Sequence, residues 1–183
     1  METYDELIEE ANLALFFEDY DDAVDLLTRA IDVADDAEPP SVWGNLGYAL
    51  DKLKLYDAAG EAHRQCVELY EETDGPDHPR TLHKLGNLAF SLIGAGKVDE
   101  AEALLRRAVA GFDAQLDREP AWHVQALSNL GYFLLRSRRD PAAALACFAR
   151  AEALCDAHDV TGRPRDTVRQ NRAEAEAAQI AGR

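Results

Sequence analysis

Trp43-Gly44-Asn45-Leu46-Gly47-Tyr48 returns 42 residues later as Leu85-Gly86-Asn87-Leu88-Ala89-Phe90, and after a further 42 as Leu127-Ser128-Asn129-Leu130-Gly131-Tyr132. A second phrase trails each one: Tyr56-Asp57-Ala58-Ala59, Val98-Asp99-Glu100-Ala101 and Asp140-Pro141-Ala142-Ala143-Ala144. The small residue after the asparagine lies twelve positions before the alanine of the second phrase in Gly47/Ala59 and Ala89/Ala101, and an earlier, more divergent copy keeps that gap in Ala11/Ala23. A period of this length repeated four times is the signature of a stacked array in which each unit cannot bury its apolar face alone.

Within each copy apolar residues recur every three or four positions on both sides of a short break, which predicts two amphipathic helices. In the third copy Leu82, Leu85, Leu88, Ala89 and Leu92 line the first helix, and Ala101, Leu104, Leu105 and Ala108 line the second. Gly94-Ala95-Gly96 forms the turn, where glycine permits the left-handed backbone that ends a helix. Small residues at the recurring positions let the paired helices approach, with Leu27, Trp43, Leu105 and Phe148 filling the space around them.

A large apolar residue, Leu-Gly or Leu-Ala, an aromatic, then Tyr-x-x-Ala, an apolar residue and a final alanine resembles the tetratricopeptide repeat. The stretch from Gly75 to Ala110 is similar to the 42-residue variety of kinesin light chains and many bacterial proteins. The resemblance covers about residues 4 to 158 and implies an all-α, right-handed superhelical solenoid in one domain spanning 1–183. Its hairpins are expected at about 4–38, 40–73, 79–118 and 121–158, with a C-terminal capping helix at about 164–181. Two departures stand out: Glu10 replaces the usual leucine, and one extra residue falls near Arg138 to Ala142. Taking Ala144, Phe148 and Ala151 as the signature of the fourth second helix restores the register, whereas Ala143 would send Arg150 into the core.

The resemblance also implies that the first helix of each pair lines a concave groove. Asn45, Asn87 and Asn129 precede Tyr48, Phe90 and Tyr132 by three positions, so each pair shares a helix face. Asn12 occupies that face in the first copy, His83 lies one turn before Asn87, and Lys52 and Arg136 lie one turn beyond the tyrosines. A carboxamide donates and accepts at once, so a ladder of them can pair with the backbone of an extended peptide. The asparagines resemble the ladder of the glycosyltransferase that adds N-acetylglucosamine to serine and threonine. The alternative role for them is bonding to neighbouring helices, which would fix the spacing of the copies. For the aromatics the alternative is packing.

The net charge of −16 is concentrated at one end, because residues 1–40 carry fourteen acids, Asp35, Asp36 and Glu38 included, against Arg29 alone. From Thr161 onward five arginines, Arg183 included, outnumber three acids. Such a balance disfavours nucleic acid and favours a partner protein or peptide of basic character. No apolar run approaches the roughly 20 residues of a membrane helix, so no membrane association is expected. The acidic start does not read as a secretory signal, and the odd count of cysteines, Cys66, Cys147 and Cys155, reads as reduced thiols; both predict a cytoplasmic protein.

No phosphate loop, nucleophile elbow or paired-carboxylate motif is present, and an enzyme is not expected. His63/Cys66 and Cys155/His158 have metal-like spacing but lie two copies apart on second helices, too far to share one ion. No cofactor or metal is expected. The leading functional expectation is a scaffold that holds an extended partner segment in its groove. Two others stand beside it: self-assembly to a homo-oligomer through the acidic first copy and the arginine-bearing end, and a regulatory sensor of a small ligand or peptide.

Overall fold

The computed structural model describes residues 2–34, 39–115 and 118–182. Asp35, Asp36, Glu38 and Arg183 lie outside them, as does the expected end of the first copy at 38. Among the described residues the secondary structure is nine α-helices and no strand. They are α1 (Tyr4–Phe16), α2 (Tyr20–Val33), α3 (Pro40–Lys52), α4 (Tyr56–Thr73), α5 (Pro79–Gly94), α6 (Val98–Asp113), α7 (Pro120–Arg136), α8 (Pro141–Ala157) and α9 (Arg163–Ala181). The chain is an all-α repeat fold. It forms two compact units, Met1–Lys97 and Val98–Arg183, and the boundary falls in the turn between the two helices of the third copy.

Local chemistry explains the helix starts. Thr3 and Glu6 form a reciprocal capping box on α1, while Asp19 and Asp140 cap α2 and α8 through their carboxylates. Such caps satisfy backbone N–H groups that have no partner inside the helix. Pro40, Pro79, Pro120 and Pro141 open their helices, where the missing N–H costs nothing.

The turn inside each copy closes on one left-handed residue: Glu18 (φ 61°), Lys54 (φ 61°), Gly96 (φ 77°) and Arg139 (φ 54°). In the first three, the next N–H reaches a carbonyl five residues back: Asp19 to Ala14 at 2.8 Å, Leu55 to Leu50 at 2.9 Å and Lys97 to Leu92 at 2.8 Å. This bond recovers a carbonyl that the helix end leaves unpaired. In the fourth copy Asp140 bonds instead to Leu134, six residues back, at 2.9 Å. The extra residue of that copy is therefore taken up inside the turn. Ala144, Phe148 and Ala151 are fully buried, and Arg150 lies at the surface with its guanidinium 2.5 Å from Asp113.

Of the two turn glycines, only Gly96 is needed for backbone conformation. Gly94 is still helical, and a methyl group there would sit 2.4 Å from the ring of Tyr56. Its hydrogen makes room for that ring.

In the first unit Leu27, Val42, Leu46, Leu50 and Ala62 join Ala11 and Ala59 in one apolar cluster, with Trp43 partly buried against it. The alanines let α1 pack on α2 and α3 on α4, as the twelve-residue gap predicted. In the second unit Val124, Leu127, Phe133 and Phe148 form the buried centre of α7 and α8, and Val168 and Ala175 seat α9 on that pair. All three cysteines are buried and unbridged. No described helix is long and apolar enough to cross a membrane.

Candidate functional site

In the first unit Asn12 on α1 is exposed, while Asn45 on α3 and Asn87 on α5 are half-buried. The aromatics one turn on stand out from the core: Tyr48 is 46% exposed and Phe90 58%. Tyr48 meets Tyr20, the first residue of α2, edge-on with ring centroids 6.1 Å apart. The Lys52 ammonium lies 5.2 Å from the Tyr48 centroid and 5.9 Å from that of Tyr20. A hydrogen bond with Tyr48 and charge interactions with the Tyr48 and Tyr20 hydroxyl groups push the Lys52 pKa up, and desolvation raises that of Tyr20. Lys52 thus keeps its charge above two aromatic faces, a cation–π arrangement. The sequence signal for Tyr20 is its match to Tyr56 at the start of the second phrase, a position outside the asparagine and aromatic ladder.

Beneath this face Asp51 joins three helices. Its Oδ2 accepts from Ser91 Oγ of α5 at 3.0 Å and lies 3.1 Å from Nε2 of His63 on α4. These are the residue types of a hydrolytic triad in the wrong order. A nucleophilic serine must bond to the histidine and face solvent. Here Ser91 donates to the carboxylate, and Ser91 and His63 are 0% and 2% exposed. The set is a buried clasp, and it explains why the second copy carries histidine where the fourth has Phe148. His83, half-buried on α5, has its pKa pushed down to about 4 by burial and then by the neighbouring Lys84 charge.

In the second unit Asn129 is half-buried and Tyr132 is 44% exposed. Arg136 stacks 5.6 Å from the Tyr132 ring and pairs with Glu174 of α9 at 2.7 Å. Arg136 thus takes a carboxylate partner from within the unit. Asn129 also borders a cleft of about 440 Å³ between α7 and the start of α9, with Gln125, Ser128, Arg163, Pro164 and Thr167.

A further asparagine completes the series. Asn171 follows Asn129 by 42 residues, and Ala173 takes the place of Gly47, Ala89 and Gly131. In register, α9 is the first helix of a fifth copy. Its carboxamide donates to Ser128 Oγ at 3.3 Å, so at this position the asparagine links two successive first helices. The sequence marks α9 only as a cap, because Arg172 and Glu174 replace the leucine and aromatic that mark the phrase.

Metal chemistry finds no centre among the described residues: no three histidine, cysteine or acidic side chains gather for an ion. Burial raises the Cys66 thiol to about 11, and burial likewise raises the Cys147 and Cys155 thiols. None of the three has the low pKa that makes a reactive thiolate.

Residues 39–114 match the family model of the tetratricopeptide repeat. Over that stretch, somewhat under half of the chain, the sequence is similar to the tetratricopeptide repeat. Over 109 residues it is 29% identical to heat shock protein STI1 of Saccharomyces cerevisiae, a stretch that makes up 58% of this chain and 17% of that protein. Two solved structures extend the fold likeness. A Podosopora anserina putative kinesin light chain with nearly identical TPR-like repeats has a TM-score of 0.78 at 20% identity, covering 99% of this chain and 90% of the other. BtubC (BKLC) from P. vanneervenii gives 0.75, also at 20% identity, covering 87% and 66%. Tetratricopeptide repeats generally mediate protein–protein interaction and are typically scaffolds rather than enzymes.

Proposed function

We propose that the chain is an interaction module whose first-helix faces hold an extended segment of another protein. The observation that carries this reading is the exposure of Tyr48, Phe90 and Tyr132, three aromatics at one repeat position that contribute ring surface to solvent instead of to the core. Aromatic anchors of this kind dominate binding energy where a partner covers them. Half-buried Asn45 and Asn87, one turn before Tyr48 and Phe90, offer paired donors and acceptors to a peptide backbone, which makes recognition tolerant of sequence. The acid-rich α1 and α2 favour a basic segment and speed its approach at low salt.

A displayed library of unstructured peptides with varied lysine and arginine content provides the probe. Basic peptides are expected to be enriched. Asn45→Ala with Asn87→Ala is expected to weaken selected peptides about tenfold, two hydrogen bonds' worth. Alanine suits a helix better than asparagine, so the thermal midpoint should hold. Unchanged affinity in the double variant, with Tyr48→Ala also neutral, would refute the reading.

A further inference from the structure

One register position behaves differently in the first copy. Leu13 corresponds to Ala49, Ser91, Phe133 and Ala175 in the later first helices. Those four are 0%, 0%, 1% and 0% exposed, whereas Leu13 is 57% exposed. Their burial has a visible cause where Ser91 meets the preceding copy: a methyl group on Gly60 of α4 would touch Ser91 and Leu92 at 4.0 and 3.9 Å. The position is a stacking position, and in α1 no described element stacks on it. Phe16 and Phe17, 78% and 74% exposed and edge-to-face at 5.2 Å, extend the same end of α1. Glu10 stands where Leu46, Leu88 and Leu130 are buried, so the face mixes apolar side chains with carboxylate.

An uncovered face also occurs on α9. Arg169 and Ala173 match Leu127 and Gly131, which are buried beneath a second helix, yet both are exposed. Ile180, 73% exposed, lies further along the same helix. The helix therefore displays a seat for a second helix: a small residue flanked by an arginine and an isoleucine. Its basic first turns, with Arg163, Arg165 and Arg169 against Asp166, oppose in sign the Glu6 and Glu10 of α1.

We propose that the Leu13–Phe17 face of α1 docks on the Arg169–Ile180 face of α9 of a second copy of this chain. Apolar side chains meet near Leu13, Phe17 and Ile180, and Glu6 and Glu10 meet the arginines. The contact is heterologous: each molecule offers one head and one tail, so association can continue beyond two molecules into a ring or an open chain. This proposal stands apart from the peptide-binding faces and survives their failure.

Sedimentation of the full chain over a concentration series tests it, with Leu13→Asp/Phe17→Asp as a head variant and Ala173→Glu/Ile180→Asp as a tail variant. All four positions are exposed, so circular dichroism should show both variants folded. The wild-type mass is expected to grow with concentration and to shrink in added salt. Each variant alone is expected to remain a monomer. An equal mixture is expected to stop at a heterodimer, joined by the one intact head and the one intact tail. A wild-type monomer at its highest soluble concentration in low salt would overturn the proposal. So would a head or tail variant that assembles like wild type, a monomeric mixture, or a face that captures only a different protein.

Discussion

Gly47 lies directly beneath the imidazole of His63: a methyl group built on it would fall 2.6 Å from the ring carbon Cε1 and from Nδ1. The fourth copy repeats the relationship, with Gly131 beneath the ring of Phe148, again at 2.6 Å. In the first copy alanine and leucine fill the two places as Ala11 and Leu27, and the third copy has Ala89 and Leu105 at the same register. A flat ring over the first helix requires glycine, and a branched side chain leaves room for alanine.

Overpacking of a fixed core costs about 1–3 kcal/mol, and Gly47→Ala and Gly131→Ala are each expected to lose that much, less the roughly 1 kcal/mol that alanine gains in helix propensity. Gly60→Ala is the internal control. Its methyl group would meet only ordinary contacts at 3.9 and 4.0 Å. Gaining about 1 kcal/mol of helix propensity, it should be neutral or stabilising. Urea unfolding of the three variants checks the order, and a Gly47→Ala chain as stable as the Gly60→Ala chain contradicts the contact.

The left-handed turn residues give a second series. Lys54 and Arg139 hold a conformation that costs a side-chain-bearing residue roughly 1–2 kcal/mol, and glycine holds it without that strain. Lys54→Gly and Arg139→Gly are expected to raise the thermal midpoint, and Gly96→Ala to lower it. The same sign for all three would mean that turn conformation does not govern stability here.

Acid sensitivity follows from His83. Its folded pKa of about 4 lies below the ordinary 6.5, so the unfolded chain takes up the proton first as pH falls. The stability contributed by the neutral ring is complete above 6.5, declines below it, and is gone near 4. Burial pushes the His123 pKa in the same direction, against the pull of Asp113. Between pH 7 and 4, His83→Gln is expected to lose less stability than wild type, by on the order of 2 kcal/mol. Parallel stability curves would show that His83 does not titrate with folding.

Helix pairs, their register and the Ala144/Phe148/Ala151 correction were legible in the sequence, because the period of small and large residues is imposed by packing that recurs in every copy. The asparagine and aromatic positions were legible for the same reason. Asn171 was hidden because no described helix covers α9 as a second helix. Polar Arg169, Arg172 and Glu174 therefore replace the marks of the repeat. Arg136 likewise looked available until Glu174, 38 residues away, was placed beside it.

By itself, then, the sequence determined an all-α repeat, its turn positions and the faces on which like residues align. All of these follow from local periodicity and backbone conformation. Tertiary structure alone decided which polar groups are already satisfied. Asp51 Oδ2 is taken by His63 and Ser91, and Arg136 by Glu174, while Leu13 stays exposed. Distances between side chains far apart in the chain settle such pairings, and no spacing along one helix contains them.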